Sequence, residues 1–423
     1  MIGTEPALAG RYAFVRRQTE PLSDAVVAAR GSALLRYLGA GASRAAGVLA
    51  PGRRTLGSAP DLSGVPLSRV ITPAQARRWF SDHHPLLRAV ILRAEGTEDP
   101  IVIAHLARDY AVHLLEAGLV STGQEVGEIA VRVARAARDR ELERLSLSNL
   151  ALFQWRGGEL DAAIEALRAA EKLAEAIKDR QGQAAVLARL GAFRIDTGLL
   201  AEGCADLERA LETLLAGQDR ERASALNSLS SGYLRRGDLH RAASAAAESL
   251  NLDDSAFNAG LSKLHLASVA EARGDLSEAR DLLDGARAAY ELTAGSDRLA
   301  LVDAHVAWTA ARQQDGPGMV AAMAAAESAI EAVPAVRRAQ LENLLALADA
   351  AGGNLTAARA RHARALQHAT SGNQPFEAAM ALRGLAEATA ALGDADIGSD
   401  FAARANEECQ RIGGSPVWRF GPD

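Results

Sequence analysis

Nine histidines and two cysteines are the residues on which metal or nucleophilic chemistry in this 423-residue chain would have to rest. A metal needs its ligands on one helix face, so spacing decides. His83 and His84 are adjacent and point to different sides of a helix. His362 and His368 stand six apart, away from the four-residue spacing that brings two imidazoles over one another. His105, Asp109 and His113 fall at i, i+4 and i+8 and share a face. Two turns separate the outer imidazoles, too far to grip one ion without a bridging partner, and the set reads as solvated helix polar residues. Cys204 and Cys409 stand alone, with no paired histidine to raise a thiolate, and read as small buried residues. A phosphate loop needs a lysine directly after glycine, and none of Lys172, Lys178 and Lys263 follows one. Gly39 and Gly41 begin like a dinucleotide loop but lack the third glycine and the preceding strand. Glu159, Asp238, Asp275 and Asp394 sit at turns, where each is predicted to cap the following helix. No residue set requires catalysis, a metal or a cofactor.

What these residues decorate is a repeat. Glycines recur at Gly118, Gly158, Gly198, Gly237, Gly274, Gly353 and Gly393, spaced 37 to 40 apart with one interval of 79. The long interval hides a degenerate unit turning at Gln314, Asp315 and Gly316. Around the glycines the text rhymes: GGELDAA, TGLLAEG, RGDLHRA, RGDLSEA, GGNLTAA, LGDADIG. Leu147, Leu150, Ala151 and Gln154 mark one helix face before Gly158, and Leu160, Ala163, Ile164, Leu167 and Ala170 mark another after it. A fixed period of this length signals helix pairs that bury their apolar faces only by stacking on neighbours. Composition agrees: 48% hydrophobic residues with 4% aromatics is mostly alanine and leucine, suited to close helix packing. Net charge is −6 with both signs interspersed, so no broad positive field argues for nucleic acid. Arg16, Arg17, Arg53, Arg54, Arg77 and Arg78 give the front end a basic flavour without the aromatic interleaving of a nucleic-acid surface. The first thirty residues hold acids and no continuous apolar run, so neither a signal peptide nor a membrane span is expected, and a cytoplasmic location is.

The pattern Leu-x-x-Leu-[Gly/Ala], then Gly-[Asp/Glu]-Leu and spaced alanines, resembles tetratricopeptide repeats of a long, roughly forty-residue kind. DRQGQAAVLARLG, residues 179–191, is similar to the inter-repeat text of actinobacterial signal-transduction ATPases and antibiotic-type transcriptional regulators, in which a repeat sensor follows a switch module. LLRYLGAGASRAAGVLAP and AQARRWFSDHHPLLRAVI, flanking a Pro/Gly/Ser-rich loop, resemble the segment joining switch to sensor there. The resemblance implies an all-α, right-handed superhelical solenoid of about seven to eight helix pairs with an N-terminal helical segment. Residues 1–73 would form that segment and loop, with helical candidates at residues 7–20 and 22–50. Residues 74–410 would form the repeats, and residues 411–423 a tail.

The first helix of each pair lines the concave wall of such a solenoid. Counting back from the turn glycines, Ser148, Leu152, Trp155 and Arg156 face inward. So do Ala188, Ala192 and Ile195, then Asn227, Ser231, Leu234 and Arg235, then Leu264, Ser268 and Glu271. Trp155, Arg156, Asn227, Ser231 and Arg235 are the candidate binding residues: stacking and hydrogen bonds from them would hold an extended peptide or its carboxylate. Alternatively Trp155 packs a seam between repeats and the arginines are solvated. Tyr233 is expected in the core. The implied function is regulatory binding of a protein, a peptide or a small effector, with a pathway scaffold or an enzyme built into the cavity as alternatives. Oligomeric state is left open.

Overall fold

The computed structural model describes residues 24–50, 56–62, 64–65, 70–93, 100–214, 217–292 and 296–415. Among the described residues there are eighteen α-helices, one short 3-10 turn (Ile330–Ala332) and no strand. The helical candidate at residues 7–20, the arginines at 16, 17, 53 and 54, and the tail beyond residue 415 lie outside them. Helices α1 (Asp24–Leu49) and α2 (Pro73–Leu92) precede eight helix pairs. These are α3 (Pro100–Glu116) with α4 (Val120–Ala136), α5 (Arg140–Gly157) with α6 (Leu160–Ala176), α7 (Arg180–Asp196) with α8 (Leu200–Thr213), and α9 (Asp219–Arg235) with α10 (Leu239–Leu252). There follow α11 (Ala256–Arg273) with α12 (Leu276–Glu291), α13 (Ser296–Arg312) with α14 (Gly316–Ser328), α15 (Ala335–Ala351) with α16 (Leu355–Ser371), and α17 (Pro375–Ala391) with α18 (Ala395–Ile412). No helix among the described residues is long and apolar enough to cross a membrane.

The turns follow the chemistry of helix ends. All seven repeat glycines have φ between 69° and 105°, and the degenerate unit reaches the same region with Gln314 at φ 62°. A left-handed residue there lets the next amides close back on the last carbonyls: Gly198 N–H reaches Ile195 O at 3.2 Å and Leu199 N–H reaches Arg194 O at 2.8 Å. Between pairs, Arg138, Lys178 and Asn373 adopt positive φ without being glycine. Asp139, Asp179, Asp238, Asp315 and Asn354 cap the helices after these turns, each accepting from the N–H three residues on. The capping expected of Glu159, Asp275 and Asp394 is absent. Glu159, one methylene longer than aspartate, instead accepts from Gln124 Nε2 at 2.8 Å, and Asp394 lies 3.9 Å from Arg359. Thr72 and Gln75 close a reciprocal box at the start of α2.

Packing runs continuously from the N-terminal segment into the repeats. Leu38 and Ala42 of α1 join Trp79, Phe80 and Leu87 of α2 and Ile103, Leu106 and Tyr110 of α3 in one core. Because α1 and α2 cover α3, His105, Asp109 and His113 are buried rather than solvated, correcting the reading of that set as solvent-facing. His113 stacks on Phe80, ring centroids 5.1 Å apart, while His105 Nε2 lies 3.3 Å from Ser58 Oγ. Burial lowers the pKa of both imidazoles. Among the described residues no group of three His, Cys, Asp or Glu is placed to hold a metal.

The solenoid closes on itself. Phe376 and Met380 of α17 and Ile412 of α18 share a core cluster with Ile195 of α7 and Leu229, Tyr233 and Leu234 of α9. Asn373 donates to Asp161 at the start of α6, 3.1 Å, and Ser415 N–H donates to Arg235 O, 2.8 Å. Gly198 sits in this seam: a Cβ there would run into Pro375 and Ile412. Gly274, at nearly the same φ, has nothing within 4 Å of that position. Both Gly→Ala variants carry the left-handed backbone cost of about 1–2 kcal/mol. Gly198→Ala is expected to lose about 1–3 kcal/mol more through overpacking. Denaturant unfolding of the two variants checks this, and equal losses would mean that the seam does not close as described.

Candidate binding cavity

Closure turns the concave groove into a cavity of about 310 Å³, lined by the first helix of seven consecutive pairs, α5 to α17. Its wall has a fixed register. Leu152, Ala192, Ser231 and Ser268 stand six residues before the left-handed turn residue of their pairs; Trp155, Ile195 and Leu234 stand three before it. Ser224, Leu261, Leu301 and Gln340 line it at the position thirteen before. Each helix thus gives the cavity one stripe, set by the 3.6-residue period and anchored by the turn.

Four of the five sequence-derived site residues line this space: Trp155, Asn227, Ser231 and Arg235. Trp155 stacks on Phe193, centroids 5.5 Å apart, and its Nε1–H donates to Asp196 Oδ2 at 2.7 Å. It therefore packs a seam between pairs and still presents surface to the cavity. Arg235 is buried: Nη1 donates to Ile195 O at 2.9 Å, and Nη2 lies 3.1 Å from Asp196 Oδ1 and 3.9 Å from Glu377 Oε1. Asn227 is wholly buried. Its Nδ2 donates to Asn258 Oδ1, 2.6 Å, and its Oδ1 accepts from Ser262 Oγ, 3.1 Å. Arg156 is not brought to the cavity; it points back along the solenoid, where Nη1 donates to Leu115 O at 3.1 Å. Of the other positions counted inward, Ser148, Ala188 and Glu271 do not line it either. Glu271 is buried behind the wall, accepting from His305 Nδ1 at 2.9 Å and Thr309 Oγ1 at 3.0 Å. Tyr233 is in the core with its hydroxyl donating to Glu208, 2.8 Å.

Several lining residues escaped the sequence count. Arg189, Ser228, His265 and His305 all stand nine before the left-handed residue, a register the count passed over. Arg298, Arg337 and Glu377 share another, sixteen before. The repeat itself was the signal: once one pair is known to line the cavity at a register, the same offset in every pair is a candidate. The lining then holds four guanidinium groups, Arg189, Arg235, Arg298 and Arg337, against two carboxylates, Asp196 and Glu377. Arg337 lies over the Trp155 ring at 5.2 Å and Arg298 over the Phe257 ring at 5.7 Å. His265 is held neutral. Burial, then the charges of Arg298 and Arg337 and the proximity of His305 and Arg235, push its pKa down to about 3.

No family model matches the chain, and no curated protein matches it in sequence. Solved structures share its fold. A Rap protein complexed with Competence and Sporulation Factor aligns with a TM-score of 0.57 at 12% identity, over 79% of this chain and 97% of that one. Aspartyl phosphate phosphatase F from Bacillus subtilis aligns at 0.50 and 13% identity, over 82% of this chain and 97% of that one. A signal transduction ATPase with numerous domains and a tetratricopeptide repeat sensor, from Pyrococcus horikoshii, reaches only 0.38 at 14% identity, over 79% and 45% of the two chains. The chain is an all-α solenoid of the tetratricopeptide-like kind.

The neutral His265 has a pH signature. Unfolded, the imidazole takes its proton near pH 6.5; folded, only near 3, so its stabilising contribution is whole above 6.5 and is lost as pH falls toward 3. Between pH 6.5 and 5 the wild type is expected to lose about 2 kcal/mol more than His265→Gln. Urea unfolding at both pH values checks this; parallel losses would show that His265 is not held neutral.

Proposed function

We propose that this chain is a regulatory binding module that takes a peptide, or an exposed peptide segment of a protein, into the cavity inside its solenoid. The observation that carries the reading is the cavity wall itself, where every first helix from α5 to α17 contributes side chains to one space. A surface assembled from seven consecutive repeats suits a chain-like ligand that meets one repeat after another. The aromatic faces of Trp155 and Phe257 and the Leu152, Leu234, Leu261, Leu264 and Leu301 side chains supply apolar contact, while serines and arginines supply donors. A protein of this fold was solved in complex with a competence and sporulation factor, so the fold is able to hold a factor of that kind. The text at residues 179–191 favours kinship with the repeat sensors of actinobacterial transcriptional regulators, with residues 1–73 as the segment that would dock on a switch module. In that setting the module would act in the cytoplasm, through its bound partner and not by touching nucleic acid. A small effector in the same cavity is the finer alternative.

Selection from a random peptide library against the whole chain tests the reading. Selected peptides are expected to lose at least about tenfold in affinity to Ser231→Trp, which fills the cavity, since an overpacked contact costs about 1–3 kcal/mol. They are expected to bind Leu292→Ser, changed at a surface position 82% exposed, unaltered. Failure to select any peptide, or binders indifferent to Ser231→Trp, would overturn it.

A further inference from the structure

His105 and Asp109, buried on α3, take no part in the binding cavity described above. They line a second cavity, of about 190 Å³, between α1, α3 and loop residues 56–62. Helix α1 gives it Gly39, Ser43 and Gly47, one face at i, i+4 and i+8. Small residues there keep the space open: a Cβ on Gly47 would meet nothing within 4 Å. Ser58 stands half-buried at the rim, between the lining residues Leu56 and Ala59, and its Oγ lies 3.3 Å from His105 Nε2. Burial lowers the pKa of that imidazole, against the attraction of Asp109 one turn further on; Arg108 and Asp139 are the other charges that act on it. His105 is therefore neutral at pH 7, able to take the hydroxyl proton at Nε2. Ala59 N–H donates to Leu56 O at 3.1 Å, closing a turn whose inner amides, those of Gly57 and Ser58, make no hydrogen bond among the described residues. A hydroxyl on a neutral imidazole, a carboxylate acting on the ring and unpaired amides at the hydroxyl are the parts that acyl transfer needs.

We infer that Ser58 and His105 form a nucleophilic site that hydrolyses short-chain carboxylic esters seated in this second cavity. It stands apart from the peptide reading, since the two cavities share no residue. Ser58 Oγ adds to the ester carbonyl carbon while His105 Nε2 takes the hydroxyl proton, and the amides of Gly57 and Ser58 are the donors on that turn for the oxyanion. The carbonyl re-forms as the C–O bond to the alcohol breaks, and the alcohol departs with the proton from His105. Water then adds to the acyl-serine, giving a proton to His105. When the bond from Ser58 Oγ to the acyl carbon breaks, Oγ takes that proton back and the carboxylic acid leaves. Asp109 acts through His105 by favouring the imidazolium formed in each half, and is a positioning residue. Leu56, Leu62, Val102 and Leu106 make the cavity apolar toward an acyl chain. Its volume lies below the usual range for ligand pockets and admits only a few carbons beside the reacting group.

The whole chain is treated with a fluorophosphonate, which phosphonylates an activated serine with loss of fluoride, and the labelled residue is mapped by mass spectrometry. Hydrolysis of p-nitrophenyl acetate, butyrate and decanoate is followed alongside for wild type, Ser58→Ala, His105→Gln and Asp109→Asn, with circular dichroism to check each fold. One label per chain is expected, on Ser58. Ser58→Ala and His105→Gln should each lose about a hundredfold or more in acetate hydrolysis. Asp109→Asn should move the acid limb of the pH–rate profile to lower pH, because the charge that raises the His105 pKa is gone. A role for Asp109 in packing alone would leave that limb in place. The mapping uses wild type, so it decides even where a variant fails to fold. No label, or a label elsewhere, would overturn the site and leave the contact of Ser58 with His105 as a pin for the loop. Equal rates for Ser58→Ala and wild type would do the same. Decanoate cleaved as fast as acetate would overturn the assignment of this cavity as the acyl pocket.

Discussion

A buried guanidinium holds the molecule's shape. Arg235, at the end of α9, reaches the last carbonyls of α7 through Ile195, the carboxylate of Asp196, and the carboxylate of Glu377 at the start of α17. It also lies 5.3 Å from the centre of the Phe376 ring, and its own carbonyl accepts from Ser415. A charge taken out of water is tolerated only when its partners are complete, and removing one partner of such a set costs about 3–5 kcal/mol. Arg235 therefore does not merely join three helices; it makes their separation expensive. The apolar cluster of Ile195, Leu234, Phe376, Met380 and Ile412 adds non-directional stabilisation around it, while the ion pairs fix the register in which the seam closes. An open solenoid has a groove, and this seam is what makes the groove a cavity.

How much of this was legible follows from how local each signal is. Turn glycines and their rhyming surroundings concern neighbours within one pair, and each of the seven glycines adopts the left-handed conformation that its position implied. The degenerate unit was readable for the same reason, since Gln314 takes up the geometry although the glycine is gone. Caps were read less well, because Glu159 and Asp394 find partners off their own helix. The burial of His105, Asp109 and His113 depends on α1 and α2 folding over α3, and no pattern within α3 reports that cover. Trp155, Asn227, Ser231 and Arg235 were found by counting from the turns, but their bonding was not. Arg235 is drawn inward by Glu377 and Phe376 from the far end of the chain, and Asn227 by Asn258 and Ser262 of the next pair. Arg298 and Arg337 were missed although they repeat at one offset, because the count stopped within three turns of each glycine.

The charge distribution gives the cavity a selectivity that bulk composition hides. The chain carries a net charge of −6, so its general surface discourages polyanions. The cavity has the opposite excess, and a concave site with low-dielectric walls focuses its field on what enters. An anionic segment is thus favoured inside and disfavoured elsewhere, which is a condition for specific binding and not just for strong binding. Neutral His265 belongs to this design. A further positive charge among Arg298, Arg337 and Arg235 would raise the electrostatic cost of the empty state, whereas a neutral imidazole can donate without adding charge.

Ligand and seam are coupled by geometry. A ligand in contact with α7 and α9 on one side and α15 and α17 on the other meets all of them only while the seam is closed. Its affinity for the closed solenoid exceeds that for an open one by the contacts it would forfeit, and that difference is the free energy it adds to closure. The seam's surface bonds, Asn373 to Asp161 and Ser415 to Arg235, are each worth little, so closure rests on Arg235 and the Phe376 cluster. Of these groups Arg235, Ile195 and Leu234 line the cavity, with Glu377 beside them. A ligand pressing on Glu377 or Trp155 therefore acts directly on the clamp, and binding is transmitted to the positions of the last two helix pairs through contacts already in place.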